Sequence, residues 1–121
     1  MLVLGASLGA ATRYYATLWA AHSLSLDFPF GTLLVNLVGS FVLGGFLTLA
    51  HAWPGIGSEL RLLVATGFCG SLTTFSTFGY EVVELLLAGR YATGLLYALG
   101  SLLLGLVAVM LGIGLVRALL T

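Results

Sequence analysis

The chain has 121 residues, of which 60% are hydrophobic and 7% charged, and its formal net charge is zero. So few charges cannot solvate the surface of a soluble domain, and their balance excludes a nucleic-acid footprint or a preference for acidic partners. The composition is that of an all-α integral membrane protein, and its single cysteine, Cys69, excludes an intrachain disulfide and reads as a small packing residue.

The charges are sparse enough to mark four transmembrane helices in one domain, at about residues 2–22, 31–53, 60–87 and 91–117, each near the ~20 residues a bilayer core requires. Arg13 is the only charge between residues 1 and 26. No basic residue precedes the apolar run from Met1 to Ala11, so it reads as the first span and not as a signal peptide. Gly5 and Gly9, one helical turn apart, admit a close backbone neighbour. Arg13 is costly at its depth, which predicts that it snorkels or meets a carboxylate, Glu81 or Glu84.

The second span carries Thr32, Asn36 and Ser40 at four-residue spacing, hence along one helical face. A buried amide in lipid needs several partners at once. Asn36 therefore serves either as glue between helices or as a contact along a polar pathway. His22 and His51 fall near helix ends with no Cys, Asp or Glu at ligand spacing, so neither reads as a metal ligand.

In the third span, Ser71, Thr73, Thr74, Ser76 and Thr77 crowd into seven residues beside Gly70. Hydroxyls that compete for backbone hydrogen bonds, next to a glycine, predict a break near residues 70–75. Such a break frees carbonyls at the end of one half-helix and amides at the start of the next, so opposite partial charges stand close together. Phe75 and Phe78 share a face of the second half. They read as plain packing or as rings turned edge-on to a small anion, since a phenyl edge is positive.

The last span aligns Gly94, Ala98, Ser101, Gly105, Ala108 and Gly112 on one narrow stripe, a surface suited to another subunit. Arg61 and Arg117 lie toward one membrane face and Arg90 toward the other. With no excess of basic residues on one side, nothing fixes a single orientation, and the chain is expected to insert both ways.

Three blocks together match one pattern: Leu8 to Tyr14 (LGAATRY), Gly31 to Phe41 (GTLLVNLVGSF) and Gly67 to Phe78 (GFCGSLTTFSTF). From end to end the chain resembles the Fluc (CrcB) fluoride channels. The third block is the most specific, and Tyr97 and Ser101 add matches in the last span; Ser7 stands where Gly is frequent in the family, while Cys69 and Ser71 occupy variable positions.

The resemblance implies a channel, not an enzyme, that gives passive fluoride efflux across the plasma (inner) membrane. It implies an antiparallel, dual-topology homodimer with two pores between the subunits. Phe75 and Phe78 would form an aromatic box, Asn36 and Ser101 would supply hydrogen bonds, Ser76 and Thr77 would line a polar track, Tyr97 would border that track and Thr32 would lie near a vestibule. A structural Na+, not transported, would be held at the dimer centre by the backbone carbonyls of Gly70 and Thr73. Two other classes fit the length: a small multidrug-type antiporter, although Arg13 stands where a coupling carboxylate is needed, and a structural membrane subunit, which leaves the hydroxyl block unexplained.

Overall fold

The computed structural model describes residues 1–121, and every regular element in it is helical. Helix α1 is Leu2–Ser23, α2 is Phe30–Ala52, and α3 is Ser58–Arg61, which continues through a π-helical stretch, Leu62–Cys69, into α4, Gly70–Leu72. After two extended residues come α5, Phe75–Leu87, and α6, Tyr91–Leu120. Three stretches are long and apolar enough to cross a membrane: Phe30–Ala52, Ser58–Leu87 and Tyr91–Leu120. Helix α1 has 22 residues, yet Arg13, Ser7, Thr12 and Thr17 dilute its apolar run.

The connections are short because each is closed by a local device. Pro29 precedes the first turn of α2, where its missing N–H costs nothing. Gly89, with φ of 77°, turns the chain between α5 and α6 in a conformation that side chains other than glycine rarely adopt. At the same end, an Nη of Arg90 donates to the Asp27 carbonyl at 2.6 Å, tying this turn to the α1–α2 loop. At the opposite end, Arg61 donates through an Nη to the Ala50 carbonyl at 2.6 Å and through Nε to the Ile56 carbonyl at 3.3 Å. A cation there complements the negative end of α2.

Between helices the contacts run through glycine. A Cβ on Gly5 or Gly9 would collide with the carbonyl oxygens of Leu63 or Phe68, so α1 lies backbone to backbone on the π-helical stretch. Gly44 faces the Val109 carbonyl and Gly112 the Phe41 carbonyl, which brings α2 and α6 equally close. This divides the small-residue stripe of α6. Gly94 packs on Leu85 and Leu86, and Ala108 and Gly112 are buried within the chain. Ala98, Ser101 and Gly105 alone line an open groove, so the part of the stripe left unpacked is its middle.

The two classes of α6 glycine predict opposite behaviour. Gly112→Ala forces apart two backbones and should lower stability by about 1–3 kcal/mol, the usual cost of overpacking. Gly114→Ala, with nothing within 4 Å of its added carbon, should be neutral or stabilising by up to ~1 kcal/mol. Thermal midpoints of the purified variants in one detergent check the pair.

Candidate functional site

The break lies at Thr73 and Thr74. Gly70 is still helical, with φ of −63° and ψ of −29°, whereas Thr73 (−84°, 154°) and Thr74 (−148°, 120°) are extended. Extended chain at this depth leaves amides and carbonyls without helical partners, and lipid offers none. Side chains supply them. Asn36 on α2 accepts from the Thr74 N–H through Oδ1 at 2.8 Å and donates through Nδ2 to the Thr74 carbonyl at 3.2 Å. The close approach of α2 that this requires passes over Gly39, where a Cβ would strike the Thr73 methyl.

Thr74 also caps α5. Its Oγ1 accepts from the Thr77 N–H at 3.2 Å and lies 3.0 Å from Thr77 Oγ1 and 3.5 Å from Ser76 Oγ. On the other side of the break, Thr73 returns both its N–H (3.1 Å) and its Oγ1 (2.9 Å) to the Cys69 carbonyl. Arg13 corrects an expectation. Its Nε donates to the Ser71 carbonyl at 2.9 Å, so the partner is the negative end of the first half-helix and not a carboxylate of α5.

These bonds decide which backbone groups stay free. In a continuous helix, the Thr74 N–H would bond the Gly70 carbonyl and the Thr77 N–H the Thr73 carbonyl. Both donors are diverted, to Asn36 and to the Thr74 hydroxyl, so neither carbonyl receives its usual helical partner. Oxygens left in this state are the hard donors that Na+ or another hard cation takes.

Two clefts flank the break. The first is an open groove between α2, the break and α6, where Asn36, Phe75, Phe78 and Ser101 converge beside Gly70 and Thr73. Phe75 is 85% exposed and packs on little but Phe78, whose ring centre is 5.9 Å away at 51°. Ser101 Oγ is buried without a hydrogen-bond partner. Asn36 has spent one of its two amide protons on Thr74, so the second is available to the groove.

The second cleft, on the far side of the break, gathers Arg13, Thr17, Thr32, Thr77 and Glu81. Thr32 is buried there, while Ser76 is exposed. Tyr97 belongs to neither cleft. It is 1% exposed, its ring meets Phe78 edge-on at 5.2 Å and Phe28 at 5.3 Å, and its hydroxyl donates to Glu81 Oε1 at 3.3 Å. Its place is behind the groove, bracing Phe78. Glu84 lines a third cleft near the α1–α2 loop with Asp27 and Arg90.

Thr74 is the residue that sequence reasoning passed over. It stood among five hydroxyls as one more breaker of the helix, and the available signal was its position three before Thr77, the spacing of an N-cap to its amide.

The family model described as CrcB-like protein, Camphor Resistance (CrcB), matches residues 1–113. The chain is 48% identical over 116 residues to the fluoride-specific ion channel FluC of Synechococcus sp. (strain JA-2-3B'a(2-13)), covering 96% of this chain and 89% of that one. It is 50% identical over 109 residues to the protein of that name from Pseudomonas aeruginosa (strain UCBPP-PA14), covering 87% and 85%. Against that of Chloroflexus aurantiacus (strain ATCC 29366 / DSM 635 / J-10-fl) it is 42% identical over 116 residues, covering 96% and 92%.

Arg13→Met should lower stability by about 1–3 kcal/mol, because the Ser71 carbonyl is then left without its donor. Arg13→Lys, which keeps a donor and the charge, should recover part of the loss. Thermal unfolding of the two variants checks the order, and equal midpoints for Met and wild type would remove this bond from the account.

Proposed function

The chain belongs to the CrcB family and is a fluoride-specific ion channel, not an enzyme, and we propose that it works as an antiparallel homodimer of four-span subunits in the plasma (inner) membrane. The observation that carries this reading is the groove. It gathers Asn36, Ser101, Phe75 and Phe78 on an open side of the chain, with one buried hydroxyl unpaired and one phenyl ring 85% exposed. A partner subunit placed there closes the groove into a pathway. Helix α1, long enough to span though less apolar, is the fourth crossing, with Arg13 held on the Ser71 carbonyl. The arginines lie at both ends of the bundle, Arg90 at one and Arg61 and Arg117 at the other, which supports insertion in both orientations.

Hydrogen fluoride enters cells as a neutral molecule and ionises inside, so the trapped anion needs an exit. An inside-negative potential drives it out at ~2.3 kcal/mol per 100 mV for each charge. The channel must replace the water around a small, tightly hydrated anion. The free amide proton of Asn36 and the hydroxyl of Ser101 supply hydrogen bonds, and the rings of Phe75 and Phe78 present positive edges. The hydroxyls of Ser76 and Thr77 continue the polar track, Thr32 borders the vestibule formed by the second cleft, and Tyr97 holds Phe78 in place.

The carbonyls of Gly70 and Thr73 would hold a structural Na+, and their freedom from helical donors supports that assignment. Bound by these two carbonyls, such an ion would supply positive charge that offsets the negative end of the first half-helix.

Replacing Phe75 and Phe78 together by Ile keeps the apolar bulk and removes the ring edges. Fluoride efflux from proteoliposomes, followed with a fluoride electrode, should fall at least about tenfold, equivalent to about 1.4 kcal/mol on the barrier, while the dimer persists. Asn36→Asp should be as harmful, since the new carboxylate faces both the Thr74 carbonyl and the anion. Near-normal efflux from a folded double Ile variant would return both rings to plain packing.

A further inference from the structure

The Thr74 hydroxyl hydrogen-bonds to neither of the carbonyls assigned to the cation, yet it governs one of them. We propose that the Thr74 hydroxyl is a positioning residue of the central cation site, acting with Asn36 to keep the carbonyls of Thr73 and Gly70 unpaired. The inference rests on the cation reading given above.

Four carbonyls, those of Gly70, Ser71, Leu72 and Thr73, have their helical donors across the break. The Ser71 carbonyl is occupied by Arg13 Nε. For Gly70 the natural donor is the Thr74 N–H, which Asn36 Oδ1 holds at 2.8 Å. For Thr73 the natural donor is the Thr77 N–H, which Thr74 Oγ1 holds at 3.2 Å. Without a hydroxyl at 74, the nearest helical acceptor for Thr77 is the Thr73 carbonyl, reached by winding Thr74 into the first turn of α5. That bond would consume one lone pair and turn the oxygen along the α5 axis, away from a ligand.

The direction of the hydroxyl proton strengthens the case. Because Thr74 Oγ1 accepts from the Thr77 amide and donates to Thr77 Oγ1 at 3.0 Å, its proton does not compete for the Thr73 carbonyl. The same residue meets the fluoride groove and the second cleft, so one cap sets the cation donors and the polar walls on both sides.

The test is a sodium titration of the thermal midpoint of the purified protein, with N-methylglucamine holding ionic strength constant. Wild type should hold a constant midpoint at low sodium and then climb with the logarithm of sodium concentration once that exceeds the dissociation constant, by linkage to the folded state. Thr74→Val keeps the shape and loses the acceptor, so the sodium concentration at which its midpoint begins to climb should rise about tenfold or more. Thr74→Ser keeps the cap and should titrate as wild type. A general loss of stability lowers every midpoint and leaves that onset unchanged, so the readout separates positioning from structure. Thr74→Ala carries the same expectation if the valine variant does not fold. A wild type that responds to sodium with an unchanged onset in Val or Ala overturns the role of Thr74 alone. A wild type with no sodium response overturns the cation reading and this inference with it.

Discussion

The pair of hydrogen bonds between Asn36 and the backbone of Thr74 is the constraint on which the rest depends. A helix broken inside hydrocarbon exposes amides and carbonyls that lipid cannot satisfy, each at a cost of several kcal/mol. Asn36 answers with both ends of its amide, one acceptor and one donor, on the residue that begins the second half-helix. Arg13 occupies the Ser71 carbonyl on the near side and Thr74 caps α5 on the far side. The break is thus a built joint with a defined geometry, and the positions of Phe75, Phe78 and the free carbonyls follow from it.

Satisfying the break also explains where the proposed pathway falls. The side chains that repair the backbone come from α1, α2 and the third span, all within one chain. The residues that carry the groups left over, Asn36, Ser101, Phe75, Phe78, Gly70 and Thr73, line a groove that one chain leaves open. Glycine makes both halves of this arrangement possible. Gly5 and Gly9 bring α1 close enough for Arg13 to reach Ser71, and Gly39 seats the Thr73 methyl beside Asn36. A chain so arranged has a packed interior and an open polar groove, which is what the pathway proposed between two copies requires.

Much of this was legible in the residues. Hydrophobic content and charge spacing pointed to an all-helical membrane protein, and the density of Ser and Thr after Gly70 located the break to within a few residues. Asn36 was singled out because an amide in lipid must have partners, although its spacing left glue and pathway as alternatives; here its bonds to Thr74 make it glue, with one proton spare. What the residues could not reveal were facts of tertiary approach. The π-helical course of Leu62–Cys69 has no composition of its own, and it emerges where Gly5 and Gly9 press α1 against that stretch. Nor does spacing tell Arg13 to choose a carbonyl over Glu81, because that choice depends on where the half-helix ends. The stripe on α6 followed the helical period correctly but spans two neighbours, one inside the chain and one outside.

The central claim is most directly tested at one proton. Hydrogen exchange of the Thr74 amide, read by NMR on the detergent-solubilised protein, reports whether the extended residue at the break is held by Asn36. Thr74 should exchange as slowly as Thr73, whose N–H bonds the Cys69 carbonyl, and Asn36→Ala should release Thr74 while leaving Thr73 protected. Rapid exchange of Thr74 in the wild-type protein would contradict the account.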